Sequence, residues 1–101
     1  RFTVNVHPDS DIDAVTEIID KIGVELSESE KWKKKILSPP AFVSVGEITG
    51  NSVEIIVAGK TQPSDQWSVI AEMRKRLLEQ FEVRKIRLAV MPTNVPGTKK
   101  K

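Results

Sequence analysis

The stretch AFVSVGEITGNSVEIIVAGK, residues 41–60, decides the fold. Two β-rich runs flank Gly50-Asn51. Glycine at the first central position of a two-residue loop suits a type II′ hairpin turn. In the second run Val53, Ile55 and Val57 share one face. Ile56 and Ala58 lie on the other face with Glu54 and Lys60, so that face is not fully polar. Gly46 marks a bulge in the first run. What flanks the hairpin then sets the architecture.

Upstream, Phe2, Val4 and Val6 alternate with Thr3, Asn5 and His7, the pattern of a strand with one apolar face. Asp9, Ser10 or Asp11 can cap the helix that follows. In that helix Ile12, Val15, Ile19, Ile22 and Leu26 recur at spacings of three and four, with Ile18 at the edge of the stripe. Gly23 falls inside the stripe, where it weakens the helix slightly and permits close packing. The polar run SESEKWKKKILS, residues 27–38, carries Trp32, Ile36 and Leu37. It is a second short helix or an irregular extension, stopped by Pro39-Pro40.

Downstream, GKTQPSDQWSVIAEMRKRLLEQF, residues 59–81, is the second main helix, with Ser64 or Asp65 as N-cap. With Trp67 at 0° and about 100° per residue, Ile70, Ala71, Met73, Leu77, Leu78 and Phe81 fall on one arc. Trp67 and Arg74 lie on the same arc, whereas Glu72, Lys75, Arg76, Glu79 and Glu82 lie off it. A final strand, KIRLAVM (85–91), turns Ile86, Leu88 and Val90 inward. The order β-α-β-β-α-β predicts an α+β, ferredoxin-like sandwich, an antiparallel sheet with two helices on one face. The domain spans 1–91, and 92–101 is an irregular basic tail.

Composition bounds the function. A chain of 101 residues, 39% hydrophobic and 30% charged, is one folded domain able to bury a core. It opens on Arg1-Phe2-Thr3 without an initiator Met and is expected to be a piece of a larger protein. There is no cysteine, which excludes disulfides, thiolate nucleophiles and Cys-based metal sites. The net charge is +2, but Lys99, Lys100 and Lys101 supply three of the positive charges and the remainder is nearly neutral. A nucleic-acid footprint needs a clustered basic face on the fold itself, so no nucleic-acid partner is expected. His7 is the only histidine and lies at a strand end, better suited to a turn than to a metal or a Ser-His-Asp site. Gly46, Gly50 and Gly59 are isolated and form no phosphate loop. Asp11, Asp13, Glu28 and Glu30 suit caps and solvated charge better than acid–base pairs. No catalytic residue, cofactor, metal or small-molecule substrate is expected. No apolar run reaches the roughly 20 residues that span a bilayer.

From Ser38 to Glu82 the sequence resembles the C-terminal soluble domain of the small-conductance mechanosensitive channel (MscS-like) family. The resemblance rests on an ordered set: Pro39-Pro40, the hairpin, Lys60-Thr61, a short loop, Trp67 in the first helical turn, and an amphipathic helix to Phe81. Phe2 to Leu26 fit the family's lead-in. Two positions depart from the pattern. Ala71-Glu72 stands where an Arg-Glu pair is common, and RKIRLAVMP (84–92) replaces a Gly-Ile-x-Ile-Pro-type closing strand. The resemblance implies a non-catalytic role in a membrane-embedded parent of the inner cell membrane. This domain would lie on the cytoplasmic side, in a homo-oligomeric cage, a heptamer, through which solutes reach the pore.

Three residues are the expected subunit-contact positions. Trp67 on the apolar arc is either core or a boundary residue available to a neighbour. Arg74 on the same arc either snorkels over its neighbours or pairs with another subunit. Ile56 on the outer sheet face points to burial by something else. The alternative function is a stand-alone, ACT-type regulatory domain that binds a small ligand.

Overall fold

In the computed structural model, which describes residues 1–89, the order is β1 (Phe2–Val6), α1 (Ile12–Glu28), β2 (Ile36–Ile48), β3 (Val53–Thr61), a 3-10 turn (Pro63–Asp65) and α2 (Gln66–Val83). The three strands form an antiparallel sheet ordered β1-β3-β2. The expected α+β arrangement is present; among the described residues the fourth strand appears as one antiparallel bridge, Val6 to Leu88. Around that bridge the His7 amide donates to the Arg87 carbonyl (2.9 Å) and the Ala89 amide to the Asn5 carbonyl (3.0 Å). The segment therefore lies on β1's outer edge. Val90, Met91 and the 92–101 tail lie outside the described residues.

One hydrophobic cluster joins the sheet to both helices. Phe2, Val4 and Val6 of β1 and Val53, Ile55 and Val57 of β3 form its floor, as the alternation predicts. Val15, Ile18, Ile19, Ile22 and Leu26 cover it from α1, and Val69, Ile70, Met73, Leu77 and Phe81 from α2. Asp11 caps α1, accepting from the Ala14 amide at 3.2 Å. Gly23 permits a contact no other residue could make: a Cβ there would stand 1.8 Å from the Pro40 carbonyl oxygen. Asp20 adds a second tie, its carboxylate accepting from the Phe42 amide at 2.9 Å. Pro40 is closely approached from Gly59 as well, where a Cβ would meet its Cα at 2.8 Å.

Two local expectations need correction, and two are met in part. The run 27–38 is not a second helix but an irregular extension, the other of its two readings: its first residues end α1, a series of turns follows, and Ile36 opens β2. Trp32 and Ile36 are buried, and the Lys31 and Lys35 ammonium groups sit 5.4 and 5.1 Å from the Trp32 ring centre. Pro39-Pro40 does not end an element but lies within β2, which is tolerated because β2 is an edge strand. Gly50 has no positive φ, so the hairpin turn is not type II′. Ile48 and Val53 close the loop as a pair, and the Thr49 hydroxyl oxygen organises it by accepting from the Asn51 and Ser52 amides. Finally, α2 enters through the 3-10 turn with Asp65 at its N-cap, one of the two positions expected, but without a side-chain capping bond.

The Gly46 bulge is present, and it is one of four. Between Ile36 and Ile48 the register with β3 shifts four times. Each shift inserts one extra β2 residue, which bends the strand and blunts an exposed edge.

Candidate functional site

The outer flank of α2 is one place where the structure leaves large apolar side chains exposed. Trp67 is 76% exposed, which overturns the core reading of this residue. The reason is a shift of the buried arc. Val69, which the sequence reading left off that face, is buried at about 200° from Trp67, and Phe81 closes the arc at about 320°. Trp67 therefore stands about 100° from the arc's centre. Leu78, expected inside, is 52% exposed for the same reason. Val69 carries the signal that was missed: its burial is what rotates the helix.

Arg74 lies on this flank and is exposed. Its guanidinium sits 5.4 Å from the Phe2 ring centre, and one nitrogen donates to the Thr3 carbonyl at 3.5 Å. It thus spreads over the β1 edge, with a cation–π contact to a buried ring. Beside it opens a groove of about 210 Å³ lined by Thr3, Val4, Leu77, Leu78, Phe81 and Leu88. Leu88 was expected inward; α2 does not cover this border of the sheet, so Leu88 forms the groove's rim instead.

The groove exists because of how α2 ends. The Ile86 amide donates to the Phe81 carbonyl (2.8 Å) and the Lys85 amide to the Glu82 carbonyl (3.2 Å), with Lys85 at φ 59°. This is a Schellman ending with a lysine in the left-handed position that glycine usually fills. It reverses the chain and lays residues 86–89 along β1.

Ile56 lies elsewhere. It pairs with Thr3 and Ser44 on the outer face of the sheet, away from the helices, and is half-buried. Part of its cover comes from its own chain, since a Cβ on Gly46 would stand 3.1 Å from the Ile56 Cδ1. The structure brings Trp67 and Arg74 to one flank and does not bring Ile56 to them.

Charges around the site are paired locally. Glu72 and Arg76, one turn apart on α2, bond at 2.8 Å, and this bond holds the Glu72 carboxyl below its usual range. At the far end of β1, His7 Nδ1 lies 2.5 Å from an Asp9 carboxylate oxygen, and Arg87 lies 3.4 Å from the other. The His7 contact foremost, with Arg87 adding to it, lowers the Asp9 pKa. Among the described residues no group of three or more His, Cys, Asp or Glu side chains could hold a metal ion. No helix among them is long and apolar enough to cross a membrane.

Residues 1–88 match the family model described as "Mechanosensitive ion channel MscS, C-terminal". The chain is also similar to a protein named small-conductance mechanosensitive channel from Caldanaerobacter subterraneus subsp. tengcongensis, at 26% identity over 93 residues. That match covers 92% of this chain and 32% of the relative, so the chain spans about a third of the relative's length.

Proposed function

The chain belongs to the mechanosensitive ion channel MscS family, as its C-terminal domain, and from that premise we propose that it is a non-catalytic assembly module of a membrane channel. It lies on the cytoplasmic side of the parent's membrane, within a homo-oligomeric cage, a heptamer, that solutes cross to reach the pore. The flank of α2 is its contact with a neighbouring subunit.

The observation that carries the contact reading is Trp67. A tryptophan 76% exposed on a rigid helix, in line with Leu78 and Arg74, is costly to leave in water. Aromatic and arginine side chains are the residue types enriched in the buried centres of protein interfaces. The test is Trp67→Ala in the full-length polypeptide that carries this domain. The expected result is loss of the assembled species on a native gel and reduced survival of cells after osmotic downshock, with the domain's thermal unfolding unchanged. Normal assembly and normal survival in that variant would remove the contact.

A further inference from the structure

We propose that the turn between α1 and β2 is a binding site for clustered phosphate groups, held by Lys31, Lys34 and Lys35. This site lies apart from the α2 contact and uses none of its residues.

Four of the chain's 16 Lys and Arg residues fall within positions 31–35. Like charges so close together repel. Elsewhere on the fold cations are set beside carboxylates, Arg76 against Glu72 and Arg87 against Asp9. In the turn only Lys33 has such a partner, Glu30 at 3.3 Å, and that acid is itself on the surface. Lys31, Lys34 and Lys35 form no ion pair among the described residues. Lys31 reaches Glu72 of α2 only through a long-range field, and that acid is already bonded to Arg76.

The turn displays these charges on a fixed scaffold. The Trp32 ring is buried and anchors the turn in the core. The Lys33 amide donates to the Ser29 carbonyl (2.9 Å) and the Lys35 amide to the Trp32 carbonyl (2.9 Å). The Gln62 amide ties the turn to the end of β3 by donating to the Lys35 carbonyl (2.9 Å). The Lys31 and Lys35 ammoniums both rest about 5 Å from the Trp32 ring centre, so they stand no more than about twice that apart. Cations already gathered in this way lose little freedom when an anion arrives.

The chemistry of the side chains selects the ligand. An ammonium is a compact charge with three rotatable donors, suited to the tetrahedral oxygens of a phosphate. The turn holds no arginine, whose planar fork would grip a flat carboxylate. A single phosphate can meet one or two of these ammoniums. Linked phosphates, or a surface of phosphate headgroups, can meet all three within the roughly 10 Å over which such charges act in 0.1 M salt. Soluble polyphosphate anions and anionic lipid headgroups share this chemistry.

The test is residue-resolved lysine acylation of the full-length polypeptide in phosphatidylcholine vesicles, read by mass spectrometry, which separates the turn from Lys99, Lys100 and Lys101. Lys85 is the reference. It lies at the opposite end of the fold, where Leu88 bridges Val6 and Val6 pairs with Val53, whereas Ile36 pairs with Thr61. Added tripolyphosphate is expected to slow acylation of Lys31, Lys34 and Lys35 several-fold relative to Lys85, and sodium chloride of equal ionic strength is expected not to. Replacing half the lipid with phosphatidylglycerol identifies the source. Protection there without tripolyphosphate assigns the site to lipid headgroups, and protection by tripolyphosphate alone assigns it to a soluble anion. Lys34→Gln, a change at an exposed side chain, should raise the tripolyphosphate concentration that half-protects Lys35 about fivefold. Equal slowing at Lys85, equal protection by sodium chloride, no protection in either vesicle, or an unchanged midpoint in Lys34→Gln overturns the proposal. Protection by RNA but not by tripolyphosphate overturns it in favour of a nucleic-acid surface.

Discussion

The two helices lie side by side on one sheet, yet they spend their apolar residues differently. α1 directs Val15, Ile18, Ile19, Ile22 and Leu26 into the core and is fastened to the edge strand through Gly23 and Asp20. α1 leaves one large apolar side chain, Val24, exposed; α2 also buries five side chains, but Trp67 and Leu78 remain outside on one flank, with Arg74 beside them. A helix that serves only its own core has one apolar stripe. A helix with a second stripe on its outer flank has surface left over for a contact outside the chain, and that is the distinction the variants below probe.

The largest effect belongs to the face the helices share. Phe81→Ala, which empties a fully enclosed site, is expected to destabilise the domain by about 3–5 kcal/mol, measured by urea unfolding. An equal cost at Trp67 would erase the difference between the two faces of α2. Gly23→Ala comes next. Helix propensity favours alanine by about 1 kcal/mol, but the new methyl group overlaps the Pro40 carbonyl, and overpacking on backbone of this kind costs several times that. A net loss of about 2 kcal/mol is expected, and a net gain would show that α1 is not held against β2 as described.

The helix ends supply a smaller contrast of opposite sign. α1 ends at Ser29 in extended backbone, whereas α2 ends through Lys85 in the left-handed region. Lys85→Gly relieves that strain and is expected to raise stability by about 0.5–1 kcal/mol. Below that lies the Glu72–Arg76 pair. The folded Glu72 carboxyl titrates below its usual 4.5, so the pair's contribution is complete above that pH and is lost as pH falls through the lowered value. Glu72→Gln should flatten the acid limb of a stability–pH curve while leaving its neutral-to-basic course unchanged. The smallest effect on folding is expected at the outer flank itself. Leu78→Ser should change unfolding by less than about 0.5 kcal/mol. Its consequence should appear only in assembly of the full-length polypeptide, and a matching loss of fold stability would return Leu78 to the core.

Most of the architecture was legible because periodicity of two and of 3.6 differ clearly over β1, α1 and β3. Phe2, Val4 and Val6, the α1 stripe, and Val53, Ile55 and Val57 all occupy the faces their spacing implies. β2 was legible only in its second half. Four extra residues break its alternation, and two prolines that would end an interior strand are harmless at an edge. The hairpin was found but its turn was not, since the Thr49 hydroxyl supplies hydrogen bonds that a Gly-Asn reading assigns to backbone geometry. At the site, Arg74 and Trp67 were recognisable as unusual on an apolar arc. Their exposure was not, because a single buried valine at position 69 rotates the helix by an amount that spacing alone leaves open.

The contact of Pro40 with Gly23 from the helix and with Gly59 from the neighbouring strand couples three positions far apart in sequence. A side chain at either glycine demands that the Pro40 backbone withdraw, and withdrawal from one opens space at the other. The penalties for Gly23→Ala and Gly59→Ala should therefore be strongly non-additive. Such a trio is expected to respond to substitution as a unit, a side chain at one glycine being best accommodated together with a change at Pro40.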